Sequence, residues 1–146
     1  MTVDRIEHTI DFSFPLERVW RAITRPQELS RWFGDRVYLD PGVGGEIVIE
    51  WDAYGRVTGI VEVFDPPHTF AFRWRAHGVD PQVPLALDNS TLVTFTLEPT
   101  SEGTRLEVIE TGFAMLPDAI RAIAYRENMS GWRVELEELV DYVHQP

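Results

Sequence analysis

The C-terminal segment constrains this chain most. From Trp132 onward its apolar positions are Trp132, Leu136, Leu139, Val140 and Val143, at spacings of four, three, one and three. Only an α-helix gathers such positions on one face. Arg133, Glu135, Glu137, Glu138 and Asp141 fill the remaining circumference, so the Glu135–Glu138 run predicts a solvated flank. A helix of ~16–20 residues is ~24–30 Å long, enough to lie across a whole small sheet. Its apolar face then needs the concave side of such a sheet.

The preceding sequence supplies the strands. Ile6, His8, Ile10 and Phe12 alternate with Arg5, Glu7, Thr9 and Asp11 over residues 5–12, a half-buried strand. Pro15 presets a helical φ, and Leu16, Val19, Trp20 and Ile23 predict a short amphipathic helix over residues 15–24. Thr24-Arg25-Pro26 ends it. A second short helix is expected from Pro26 to near Gly34, with Leu29, Trp32 and Phe33 on its apolar side. Trp20 and Trp32 read as packing residues between these helices and the sheet.

Alternation returns after the Pro41–Gly45 loop. Ile47, Ile49 and Trp51 share one face, and Val57, Val61 and Val63 belong to the next strand. Asp65-Pro66-Pro67 forces a turn. Phe70, Phe72 and Trp74 alternate with Ala71, Arg73 and Arg75, which places both arginines outward. Residues 76–90 lack periodicity and predict a long loop able to gate a site. Val93, Phe95 and Leu97 form a further strand, and a turn at Ser101–Gly103 leads into residues 104–113. Helix-type sequence follows Pro117, with an interruption expected at Asn128-Met129-Ser130-Gly131. The order β-α-α-β-β-β-β-β-α predicts an α+β fold: a curved antiparallel meander of about six strands around the C-terminal helix, in one domain spanning 1–146. The space such a sheet leaves around its helix is where a ligand would sit.

Charge and composition exclude several functions. The 146 residues carry a formal net charge of −11, which repels phosphate backbones and argues against nucleic acid as a partner. No apolar run reaches the ~18–20 residues of a membrane span. The absence of cysteine excludes disulfides and a thiol nucleophile and fits a reducing compartment. No basic segment followed by an apolar stretch opens the sequence, so a cytoplasmic location is expected. His8, His68, His77 and His144 lack metal-ligand spacing, and Gly42-Val43-Gly44-Gly45 precedes a strand, unlike a phosphate loop. Neither metal nor cofactor is expected.

Several ordered motifs resemble one family. Pro15-Leu16-Glu17-Arg18-Val19-Trp20-Arg21-Ala22-Ile23-Thr24-Arg25-Pro26-Gln27-Glu28-Leu29-Ser30-Arg31-Trp32-Phe33 resembles the opening of the heat-shock ATPase activator-like (AHSA-like) branch of the START/birch-pollen-allergen (SRPBCC) superfamily. Gly55–Phe64 with Pro66-Pro67, Phe70–Trp74, Gly103-Thr104-Arg105-Leu106, and Gly131-Trp132 with Leu136 and Leu139 are similar to further family segments in the same order. The resemblance implies a helix-grip fold with a deep hydrophobic cavity. It does not imply one function, since such proteins include ligand carriers, aromatase/cyclases and co-chaperone domains. Near the end of the last strand the family often carries His where this chain has Glu110.

These expectations converge on an internal site. Trp51, Phe70, Phe72, Trp74, Phe95, Trp132 and Leu136 are the candidate apolar lining, and Glu110 and His8 the polar groups that would orient a ligand. If alternation from Leu106 and Val108 holds, Glu110 points inward; a bulge near Gly112 would reverse that, and the other reading of Glu110 is a solvated strand-end residue. A buried Glu110 would have a raised pKa suited to acid–base work, making it the candidate catalytic residue. His8 reads as a core or rim histidine satisfied by a hydrogen bond more readily than as a catalytic one. The leading expectation is therefore a container for a small, largely hydrophobic molecule. The alternatives are a cofactor-independent cyclase, dehydratase or hydrolase using Glu110, and a co-chaperone-like interaction domain. The bare domain, without an additional chaperone-binding domain, weighs against a chaperone partner. A homodimer is the oligomer that base rates favour.

Overall fold

A computed structural model describes residues 4–145. Strand β1, Arg5–Phe12, leads into helices α1, Leu16–Thr24, and α2, Pro26–Trp32. Strands β2, Arg36–Leu39, β3, Glu46–Trp51, β4, Gly55–Asp65, β5, Thr69–Arg75, β6, Ser90–Pro99, and β7, Thr104–Thr111, follow. A 3-10 turn at Phe113–Met115 precedes the long helix α3, Asp118–His144. The strands form one antiparallel curved sheet in the order β1-β7-β6-β5-β4-β3-β2, a meander whose first strand closes onto the last.

Local chemistry sets the element ends. Pro15 caps α1 in extended conformation, and Pro26 opens α2, where a missing N–H costs nothing. Between them Arg25 is extended at φ −86°, ψ 127°, as a residue before proline prefers. Ser30 Oγ donates to Pro26 O at 2.7 Å and accepts from Val37 N at 2.9 Å, which ties α2 to β2. Gly59 lies opposite Trp74, where a Cβ would stand 2.4 Å from the Arg73 carbonyl oxygen. Only glycine lets β4 and β5 approach this closely. The register then shifts between Val61 and Val63, an irregularity that bends a strand.

Two features differ from the sequence expectations. The sheet has seven strands where about six were expected, because β2 is a four-residue edge strand too short to show periodicity. Helix α3 also runs unbroken through Asn128–Gly131. Gly131 costs about 1 kcal/mol relative to alanine in a helix interior, but packing and side-chain bonds on both sides hold the helix together.

The core lies between the concave face and α3. Trp132, Leu136, Leu139 and Val143 of α3 are buried against it. Phe33 is its hub, with ring centroids of Trp32, Trp51, Phe72, Trp74 and Trp132 between 5.1 and 6.3 Å away. Trp20 packs on Phe64, and Trp32 donates its indole N–H to Ala22 O at 2.8 Å, so both tryptophans join helices to core.

Candidate functional site

The space inside the grip is divided. Phe70, Phe72 and Phe95 are fully buried and touch one another, with centroids 5.5 to 6.1 Å apart. They fill the middle of the sheet and stand behind the cleft, not on its wall. A cleft of about 530 Å³ remains at one end, between the β3–β4 turn, the start of the 76–89 loop and the middle of α3. Phe33, Trp51, Val57, Trp74 and Trp132 give it its apolar wall. Its rim includes Tyr54 and Val134, both largely exposed.

Glu110 lies behind that wall. Its side chain points inward from β7, in register with Val93 of β6 and Ile6 of β1. The left-handed turn at Gly112, φ 103°, comes after it and leaves the register intact. The residue is wholly buried and accepts four hydrogen bonds. Trp74 Nε1, Thr91 Oγ1 and Asn128 Nδ2 donate to Oε2 at 2.9, 2.6 and 2.8 Å, and Trp132 Nε1 donates to Oε1 at 2.8 Å. Burial pushes its pKa up, and the four hydrogen bonds pull partly the other way. Trp74, Asn128 and Trp132 line the cleft with one side and hold Glu110 with the other. The carboxylate therefore orders the wall and presents no surface to the cleft.

A second carboxylate does border the cleft. Glu135 accepts from Trp51 Nε1 at 2.8 Å on Oε1 and from Gly34 N at 3.4 Å on Oε2. It is partly buried, and burial raises its pKa, with the Glu138 and Asp35 charges adding to the rise. The sequence pattern predicts a solvated flank here. The signal that identifies Glu135 is Trp51: a half-buried indole N–H needs an acceptor, and here Glu135 supplies it.

His8 and Leu136 lie elsewhere. Both line a separate groove of about 480 Å³ between β1 and α3, together with Arg133, Glu137, Val140 and Asp141. His8 Nε2 is buried without a hydrogen-bond partner, and desolvation, then the Arg133 charge, lower its pKa. Of the seven expected lining residues, Trp51, Trp74 and Trp132 meet at the cleft. Arg75 also departs from its expected outward role. It borders the cleft and donates through Nη1 to the carbonyls of Asp80 and Val83, at 3.3 and 2.6 Å, tying down the 76–89 loop. Arg73 does face outward, paired with Glu62 at 2.8 Å.

Among the described residues no group of acidic, histidine or cysteine side chains is arranged to hold a metal ion, and no helix is long and apolar enough to cross a membrane.

Comparison with known proteins bears on the fold. The family model for "Activator of Hsp90 ATPase homolog 1-like protein" matches residues 13–144. No curated protein sequence matches the chain. Among solved structures, protein MLL2253 from Mesorhizobium loti superposes with a TM-score of 0.78 at 28% identity, over 95% of this chain and 96% of that one. PFC0360w, described as an HSP90 activator from Plasmodium falciparum, gives 0.77 at 19% identity over 99% of both chains. The Aha1 dimer from Colwellia psychrerythraea gives 0.73 at 20% identity, over 97% of this chain and 96% of that one.

Proposed function

Because the chain belongs to the Activator of Hsp90 ATPase homolog 1-like family and leaves a cleft beside α3, we propose that this cleft binds one small, largely apolar molecule. One observation carries the proposal. The indole N–H groups of Trp51, Trp74 and Trp132 are already engaged by Glu135 and Glu110, so these rings turn only carbon surface toward the cleft. A volume of about 530 Å³ lies in the range of small-molecule sites. Covering ~300 Å² of apolar surface would contribute roughly 7 kcal/mol, comparable with the entropic cost of association. The few polar groups at the cleft then decide the net affinity.

Native mass spectrometry of protein purified from its own host tests this. The expected result is a small-molecule adduct that dissociates on denaturation and is depleted in Trp51→Ala. A bare mass, together with tryptophan fluorescence that no apolar compound perturbs, would overturn it.

A further inference from the structure

We propose that the molecule held in the cleft is an apolar organic cation, such as a protonated arylalkylamine, with Glu135 as its counter-ion. This rests on the ligand-binding function above and names its chemical class. Three observations support it.

The first is unused accepting capacity. Glu135 Oε1 is engaged by Trp51, but Oε2 meets only the Gly34 N–H at 3.4 Å, a long contact for an N–H donor. Lone pairs on Oε2 remain free at the cleft wall.

The second is the missing counter-charge. Glu135 is partly withdrawn from water, and a buried charge needs a partner. The charges that act on it are those of Glu138 and Asp35, both negative. Three basic side chains, Arg75, Arg126 and the exposed His77, border the cleft, and none is bonded to Glu135. Arg75 is directed to the Asp80 and Val83 carbonyls, and Arg126 is exposed beside Glu127 at the rim, where solvent screens it. A neutral hydroxyl would satisfy a lone pair and leave the charge unmatched. A carboxylate would be repelled.

The third is the wall itself. The Phe33 ring lies 6.0 Å from Trp51 and 5.6 Å from Trp132, centroid to centroid. These rings pack on one another beside the carboxylate, Phe33 stacked on Trp132 and edge-on to Trp51, and a ring face turned to the cleft would attract an ammonium group.

The test uses three probes with one apolar body: 4-phenylbutylamine, 4-phenylbutan-1-ol and 5-phenylpentanoate. Binding at pH 7 is followed by tryptophan fluorescence and by the indole N–H resonances of Trp51 and Trp132. The amine is expected to bind at least about tenfold tighter than the alcohol, as a charge-assisted contact implies, with the carboxylate weakest. Glu135→Gln keeps an acceptor for Trp51 and removes the charge, so the amine should lose at least about tenfold more affinity than the alcohol does. An alcohol or carboxylate that binds as tightly as the amine overturns the cation assignment and leaves the cleft a binding site. If none of the three perturbs Trp51 or Trp132, the ligand-binding function fails with it.

Discussion

The indole N–H of Trp132, on α3, donates to Oε1 of Glu110, on β7, across 2.8 Å. Asn128, one helical turn earlier, reaches Oε2 of the same carboxylate at 2.8 Å. Helix α3 is thus pinned near its middle to the one carboxylate buried among the described residues. Two sheet residues, Trp74 and Thr91, donate to it from the other side. Glu110 is the joint on which the cleft wall is assembled.

Removing that joint should cost far more than an average core substitution. Glu110→Ala leaves the Trp132 indole and the Thr91 hydroxyl without an acceptor in the interior and frees Asn128 at the cleft, while Trp74 keeps Thr91 Oγ1 at 3.0 Å as a partner. The expected loss is about 3–5 kcal/mol of unfolding free energy, read from urea denaturation. A loss under about 1 kcal/mol would mean that water replaces the carboxylate.

The same residue should shape the pH dependence of stability. Burial holds the Glu110 pKa above its ordinary 4.5, and Glu135 shifts the same way. An acid with a raised native pKa keeps its proton longer in the folded state. Above about pH 4.5 the native state therefore binds more protons than the unfolded chain, and stability from this source falls as pH rises through the native pKa. His8 acts oppositely. Its lowered pKa gives a contribution that is present above its ordinary 6.5 and lost as pH falls. Glu110→Gln isolates the carboxylate. The stability difference, wild type minus variant, should shrink as pH rises from 4.5, measured by urea unfolding between pH 4 and 8. A difference that grows with pH would show that the four donors outweigh desolvation.

How much of this was legible in the sequence depended on distance along the chain. Strand β1 and helix α1 could be read because each carries its own period, and Glu110 pointed inward by simple alternation with Leu106 and Val108. The partners of Glu110 could not be read, because Trp74, Thr91 and Trp132 come from three other elements. Asn128 lay in a segment that looked like a helix break, yet its side chain is one of the bonds that keep α3 in place. Glu135 failed for a related reason. A helical stripe marks the face on the main core but not the flank, and its partner Trp51 lies 84 residues away. The filling of the sheet's middle by Phe70, Phe72 and Phe95 was equally hidden, since alternation gives the face of a ring but not what stands opposite.

The approach of β4 to β5 predicts an intolerant glycine. A Cβ at Gly59 would lie 2.4 Å from Arg73 O and 3.0 Å from Trp74 Cα. Both contacts are backbone, so relief requires the strands to part. Gly59→Ala should destabilise by about 2 kcal/mol or more and shift the Trp74 indole resonance. A neutral effect on urea unfolding would mean the strands separate freely at this point.

Gly131 should behave oppositely, and it separates stability from binding. It sits in the middle of α3 and lines the cleft, and a Cβ built on it meets no atom within 4 Å. Its backbone is helical, so alanine fits without strain. Gly131→Ala should raise unfolding free energy by about 0.5–1 kcal/mol through the unfolded chain's entropy. Gly131→Leu keeps the helical gain but projects a branched side chain into the cleft. It should match or exceed wild type in urea unfolding while weakening ligand binding about tenfold or more, as lost apolar contact area implies. A leucine variant that is stable and binds at wild-type strength would place the ligand outside this cleft.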